Sequence, residues 1–182
     1  MVKLQKAYSS GDYVVFAGCT TGQVGIDVMK VELRRNTTLD KFFSLMTRQF
    51  TASEWRFINN ADTAERESRL FNFYRCWCLK ESYVKAIGTG IKFGLQRIEF
   101  LPGCIVDDAC TTTRVKIDGE LQQGWMFHES MFDGHIMALA VRGGEGVGQV
   151  ERVEFEDLLT VDHSNNVGVR YFNEFDVKKE VP

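Results

Sequence analysis

From Leu70 to Gly90 the chain reads LFNFYRCWCLKESYVKAIGTG. The stretch has no Pro, and its first Gly is Gly88, so it predicts one long helix that stops at a glycine. At about 100° per residue, Leu70, Phe73, Tyr74, Trp77, Glu81, Val84 and Gly88 fall on one face. Every member of that stripe except Glu81 is apolar, aromatic or small. Lys85 sits one turn further on, but an exposed Glu-to-Lys pair is worth only roughly 0.2–0.5 kcal/mol. Burying an unpaired carboxylate costs several times that. Either the stripe opens to solvent at Glu81, or Glu81 meets a stronger partner such as a metal ion.

The remaining pattern is strand-like at both ends. Asp12 to Gly18 and Val24 to Met29 are apolar runs separated by a short polar turn, which suggests a hairpin. Alternation puts Gly25, Asp27 and Met29 on one face of the second run and Val24, Ile26 and Val28 on the other. Asp27 therefore points away from the apolar face, either toward a cleft or as an edge charge that discourages aggregation. Thr38 is placed to cap a helix from Leu39. Thr51 and Glu54 have capping-box spacing, with Phe50 and Trp55 as a hydrophobic staple, for a second helix to about Asn59. After Gly94 the period changes. Arg97–Leu101, Thr111–Ile117, Gly124–Met131 and His135–Val141 read as strands, with turns at Pro102-Gly103, Asp118-Gly119 and Asp133-Gly134. The last of them suggest an antiparallel meander. Glu154 to Val161 is a candidate short helix, and the residues after it form a polar tail. The fold class is α+β, an antiparallel sheet packed on a long helix.

Composition narrows the function. The chain has 182 residues, 44% hydrophobic, with net charge −3. It is long enough for one domain with a real core, and it lacks a global basic field for nucleic acid. Five cysteines without a C-x-x-C, and no apolar leader, point to a reduced cytosolic protein. No run is long enough for a membrane span. The three histidines show no ligand spacing.

There is no phosphate loop of the GxxxxGK[ST] kind and no nucleophile elbow. Two carboxylates remain, Asp27 on a strand and Glu81 on the helix, flanked by Lys30, Lys80 and Lys85. Mg²⁺ takes one or two carboxylates plus waters and substrate phosphates, and lysine binds phosphate as a point charge. The residues therefore allow a Mg²⁺–phosphate site without specifying one. A partly exposed Glu and an edge Asp remain the alternative.

Val24-Gly25-Ile26-Asp27 and Trp77-Cys78-Leu79-Lys80-Glu81-Ser82-Tyr83-Val84-Lys85 resemble the two signature motifs of the 4′-phosphopantetheinyl transferases, in the expected order and separation. The wording is closest to the two-half, surfactin-synthetase-activating type and to its animal members. The resemblance covers residues 11–160. It implies one half of a pseudodimer that moves the phosphopantetheine arm of coenzyme A onto a serine of an apo acyl carrier protein or carrier domain, as in fatty acid synthesis and lysine metabolism. It implies Asp27 and Glu81 as Mg²⁺ ligands, Glu81 as an aid to serine deprotonation, Lys85 as a catalytic phosphate contact, and Lys80 as a further coenzyme A contact.

The chain departs from the pattern in places. Met29 stands where some members carry another acid, so a water is expected to complete the metal shell. Ser9-Ser10 stands where members often have Ser-His. Two-half members have a further half before the first motif. The expected layout is thus a remnant of that half and a linking strand (1–23), a C-terminal transferase domain (24–160) and a polar tail (161–182). A chain lacking a half is expected to self-associate through the face left open. The competing expectation is a non-catalytic fragment that binds carrier proteins.

Overall fold

The computed structural model describes residues 4–33, 35–59, 66–143 and 151. The described residues, apart from residue 151, all belong to one unit, residues 1–147. The candidate helix at Glu154–Val161 and the tail lie outside the described residues.

That unit contains β1 (Leu4–Ser10), β2 (Tyr13–Cys19) and β3 (Gln23–Lys30), then α1 (Leu39–Met46), α2 (Ala52–Asn59) and α3 (Arg66–Ile87). Six strands follow: β4 (Ile98–Leu101), β5 (Ala109–Cys110), β6 (Arg114–Ile117), β7 (Glu120–Leu121), β8 (Trp125–Phe132) and β9 (His135–Arg142). The class is α+β, as expected.

Local signals form as read. The Thr38 hydroxyl accepts from the Lys41 N–H at the start of α1. Thr51 and Glu54 close a reciprocal box, Thr51 N–H to Glu54 Oε2 at 2.8 Å and Glu54 N–H to Thr51 Oγ1 at 3.2 Å. Phe50 and Trp55 meet edge to face at 5.3 Å across it. Helix α3 ends where Gly88 takes φ +70°, with its N–H bonded to the Val84 carbonyl. The turns at Asp118-Gly119 and Asp133-Gly134 have positive φ at both residues, the mirror-image geometry that suits a two-residue hairpin.

Strand partners differ from expectation. β2 is not the hairpin mate of β3. It pairs antiparallel with β1, and β3 pairs with β9 along its whole length, Gln23 opposite Arg142 to Lys30 opposite His135. The C-terminal strands are not one meander either. β3-β9-β8-β5 is one sheet and β4-β6-β7 another. The reason is burial on both faces of β3. Val24, Ile26 and Val28 pack with Val15, Met137, Leu139 and Val141. The opposite face, Gly25 and Asp27, lies under α3 beside Ala138 and Ala140 of β9. A short turn between β2 and β3 sets their proximity, but β9 lies under α3 together with β3 and is buried from His135 to Val141, whereas β2 leaves Val14 and Phe16 exposed.

Gly25 is what lets helix and sheet approach so closely. A Cβ there would sit 2.1 Å from the Ser82 carbonyl oxygen and 2.3 Å from the Ala86 nitrogen of α3. α3 is therefore a central helix, buried on most of its circumference against the sheet, α2 and β4. Its least buried line in the C-terminal half is Trp77, Glu81, Lys85 and Gly88. The face expected to be most apolar thus carries a buried N-terminal portion, Leu70, Phe73 and Tyr74, and then opens to solvent at Glu81.

Candidate functional site

A helix buried on nearly every side has to place its charges deliberately. α3 carries three cations five residues apart, Arg75, Lys80 and Lys85, so each points about 140° round the axis from the last. Each meets a buried acid on a different element. Arg75 pairs with Glu129 of β8, Lys80 with Glu54 of α2 at 2.8 Å, and Lys85 with Asp27 of β3 at 2.6 Å.

Two of these pairs are closed. The Arg75 guanidinium also donates to the Gly103 carbonyl, and Glu129 accepts from Thr113 as well. The Lys80 ammonium spends its other two hydrogens on the Leu95 and Ile98 carbonyls. Glu54 accepts in addition from the backbone N–H groups of Thr51 and Phe100. Burial pushes the Glu54 carboxyl up and the Lys80 ammonium down. Lys80, expected at the coenzyme, instead fastens α3 to α2 and to the turn before β4. Its side chain has no exposed surface.

The third pair is open. Asp27 is fully buried, and its Oδ2 makes no hydrogen bond while Oδ1 holds Lys85. Loss of hydration pushes the Asp27 carboxyl from its ordinary 3.8 to about 6, with Lys85 opposing the rise and the nearby Glu81 charge adding to it. Glu81 is half-buried, and its own carboxyl is pushed up by burial, with Lys85 again opposing. The Lys85 side chain keeps 20% of its surface exposed. Asp27, Glu81 and Lys85 are thus brought together at an open rim between β3 and α3, and Lys80 is not.

Trp77, one turn before Glu81, packs on Phe50 and Phe73 rather than entering the site. Cys78, directly under β9, donates to the Ile136 carbonyl. The charge partners Glu54 and Glu129 carry no sequence signal that links them to α3. The capping box identifies Glu54 only as a helix cap.

The orphan Oδ2 of Asp27 beside the Glu81 carboxylate is a donor set that suits a hard cation. Among the described residues no group of three His, Cys, Asp or Glu gathers for a metal. That leaves two carboxylates, which is the complement a Mg²⁺ ion accepts when waters and phosphate oxygens supply the rest. Lys85 gives the rim a positive charge for an anion.

Residues 23–140 match the family model of the 4′-phosphopantetheinyl transferase superfamily. The chain is 38% identical over 151 residues to the L-aminoadipate-semialdehyde dehydrogenase-phosphopantetheinyl transferase of Rattus norvegicus, covering 81% of this chain and 48% of the rat protein. It is 40% identical over 140 residues to the human protein of that name, covering 75% and 45%. A phosphopantetheinyl transferase of Thraustochytrium is 35% identical over 164 residues, 87% of this chain and 56% of that protein. The chain spans about half the length of the curated relatives it matches. Among the described residues no helix is long and apolar enough to cross a membrane.

Proposed function

Since the chain belongs to the 4′-phosphopantetheinyl transferase superfamily, we propose that it transfers the 4′-phosphopantetheine arm of coenzyme A to a serine of an apo acyl or peptidyl carrier protein. The carrying observation is the half-satisfied Asp27 carboxylate, buried under α3 and flanked by Glu81 and Lys85. These residues come from both signature stretches, and the sheet register and the α3 packing bring them together.

In this reading Asp27 and Glu81 hold Mg²⁺, which when bound offsets the charge that develops on the departing phosphate. Lys85 steadies the pyrophosphate of coenzyme A. The carrier serine Oγ attacks the phosphorus that bears the pantetheine arm. The P–O bond to the adenosine 5′-phosphate breaks, and adenosine 3′,5′-bisphosphate leaves. Glu81 accepts the serine proton, directly or through one water. Its raised proton affinity and half-exposed position suit that task. Lys80 has no contact with substrate here. Its bonds to Glu54 and two carbonyls hold the turn of α3 from which Glu81 projects.

The test is mass gain on an apo carrier protein incubated with coenzyme A, Mg²⁺ and this chain. Asp27→Ala and Glu81→Ala should each abolish the gain, and wild-type turnover in either sinks the assignment. The chain spans about half of its relatives, so the alternative is a carrier-binding fragment without activity. Carrier binding without coenzyme A affinity in calorimetry, with activity restored by the preceding half of a full-length relative, selects that alternative. The proposed setting is the cytosol, in keeping with five unpaired thiols. Self-association is part of the proposal, because Val14 and Phe16 on the outer face of β2 are 72% and 59% exposed.

A further inference from the structure

Among the described residues the sheet edges are formed by β1 and β2 of the two-stranded ribbon, β3 and β5 of the four-stranded sheet, and β4 and β7 of the three-stranded one. An open edge is a template for another strand, and proteins blunt it with charge, proline or brevity. β1 carries Lys6, β3 carries Asp27 and Lys30, β4 carries Glu99, β7 carries Glu120, and β5 is two residues long. β2 has none of these devices. Its seven residues, Tyr13–Cys19, include no charge and no proline. β1 pairs with one of its edges along the whole length, and no strand among the described residues pairs with the other. Val14 and Phe16 are 72% and 59% exposed, while Val15 between them is buried with Val24, Ile26 and Val28. The strand is also fixed at its start. The Tyr13 ring meets Phe132 at 4.9 Å and His135 at 4.8 Å, both edge to face, and its hydroxyl donates to Asp133. A strand already held in place loses little freedom on binding.

We propose that β2 docks a second copy of this chain: the two β2 strands pair antiparallel, edge to edge, across a two-fold axis at Phe16, so that two ribbons become one four-stranded sheet. Full overlap of the strand with itself fixes that register. It sets Tyr13 opposite the second copy's Cys19, Val14 opposite its Gly18, and Phe16 opposite its Phe16. The absence of charge is what selects a second copy. Self-pairing brings any charge back toward its own copy across the axis, and like charges directly opposite are destabilising. β2 has none to oppose, and the flanking Asp12 falls opposite Thr20. At the axis the two Phe16 rings form an aromatic cross-strand pair, with each Val14 diagonal to it, and both residues leave water. One strand edge buries less than the roughly 800 Å² per partner of a standard interface, so the dimer is weak and concentration-dependent. The pairing depends neither on the cation site nor on the transferase reading.

The experiment measures amide hydrogen exchange of the whole chain by mass spectrometry, from about 1 µM to about 300 µM, a range that brackets weak association. The peptide spanning β2 should exchange more slowly as concentration rises, because its open-edge amides acquire acceptors only in the dimer. A dimer in light scattering whose β2 exchange stays constant overturns the proposal, since it marks stacking of faces or contact through another surface. A monomer at every concentration overturns it as well. Phe16→Lys should weaken the dimer at least about tenfold, by removing the axial pair and setting two ammoniums opposite each other. Unchanged association in that variant overturns the pairing. If Phe16→Lys does not fold, Phe16→Cys gives the answer. Oxidised glutathione should join two copies by a disulfide at position 16, where paired backbones come within disulfide reach. A variant that stays unlinked there, while the exposed Cys104 reacts, overturns the proposal.

Discussion

Replacing Asp27 by Asn should make the metal-free protein more stable at neutral pH. A carboxyl whose folded pKa exceeds its unfolded value binds a proton more tightly in the folded state. Below pH 3.8 both states are protonated and the group has no effect. Between 3.8 and about 6 the unfolded chain has released its proton and the folded chain has not, so stability falls as pH rises. Above about 6 the cost is constant. At about 1.36 kcal/mol per pH unit the full cost is about 3 kcal/mol, with the Lys85 attraction already included in the shift. Asparagine resembles the neutral acid but adds N–H donors in a buried place, which takes back about 1 kcal/mol. The net gain is about 2 kcal/mol, roughly 4–8 °C in Tm for a domain of this size. Thermal melts in EDTA at pH 7.5 and near pH 4 measure it. The gain should be present at pH 7.5 and nearly absent at the lower pH. A variant destabilised at pH 7.5, or stabilised equally at both, would refute the argument that burial strains this carboxylate.

Other consequences follow from the same packing. Glu54→Gln leaves the Lys80 ammonium buried without a counter-charge and should cost about 3–5 kcal/mol in urea unfolding; a loss under about 1 kcal/mol would mean the carbonyls alone satisfy the lysine. Gly25→Ala places a methyl 2.1 Å from the Ser82 carbonyl oxygen, so α3 must lift from the sheet, and circular dichroism melts should show a large loss or no folded protein. Phe16→Ser should reduce self-association in light scattering without lowering Tm, because Phe16 is 59% exposed. Arg75→Met breaks the Glu129 pair, and unfolding by urea should move to lower concentration without any change in Mn²⁺ affinity, which ties cation binding to the third pair alone.

The chain by itself determined the features set by neighbouring residues. Thr51 and Glu54 close their box because the bonds span three residues. Gly88 ends α3 because the next turn needs a positive φ. Asp118-Gly119 and Asp133-Gly134 turn because both residues tolerate the left-handed region. The order and spacing of the stretches around Asp27 and Glu81 were also legible, and with them the family resemblance. Only the tertiary structure decided which distant groups meet. β3 chose β9 over β2 because that pairing buries both of its faces. Lys80 turned inward to Glu54, and Lys85 alone reached Asp27, because rotation about the helix sends residues five apart to different neighbours. The stripe through Glu81 looked like a buried face because helical periodicity identifies a line of residues. It says nothing about which side the protein leaves uncovered. Here Gly25 draws the side of α3 that carries Ser82 and Ala86 onto the sheet, and the adjoining line of Trp77, Glu81 and Lys85 is left as the rim of the site.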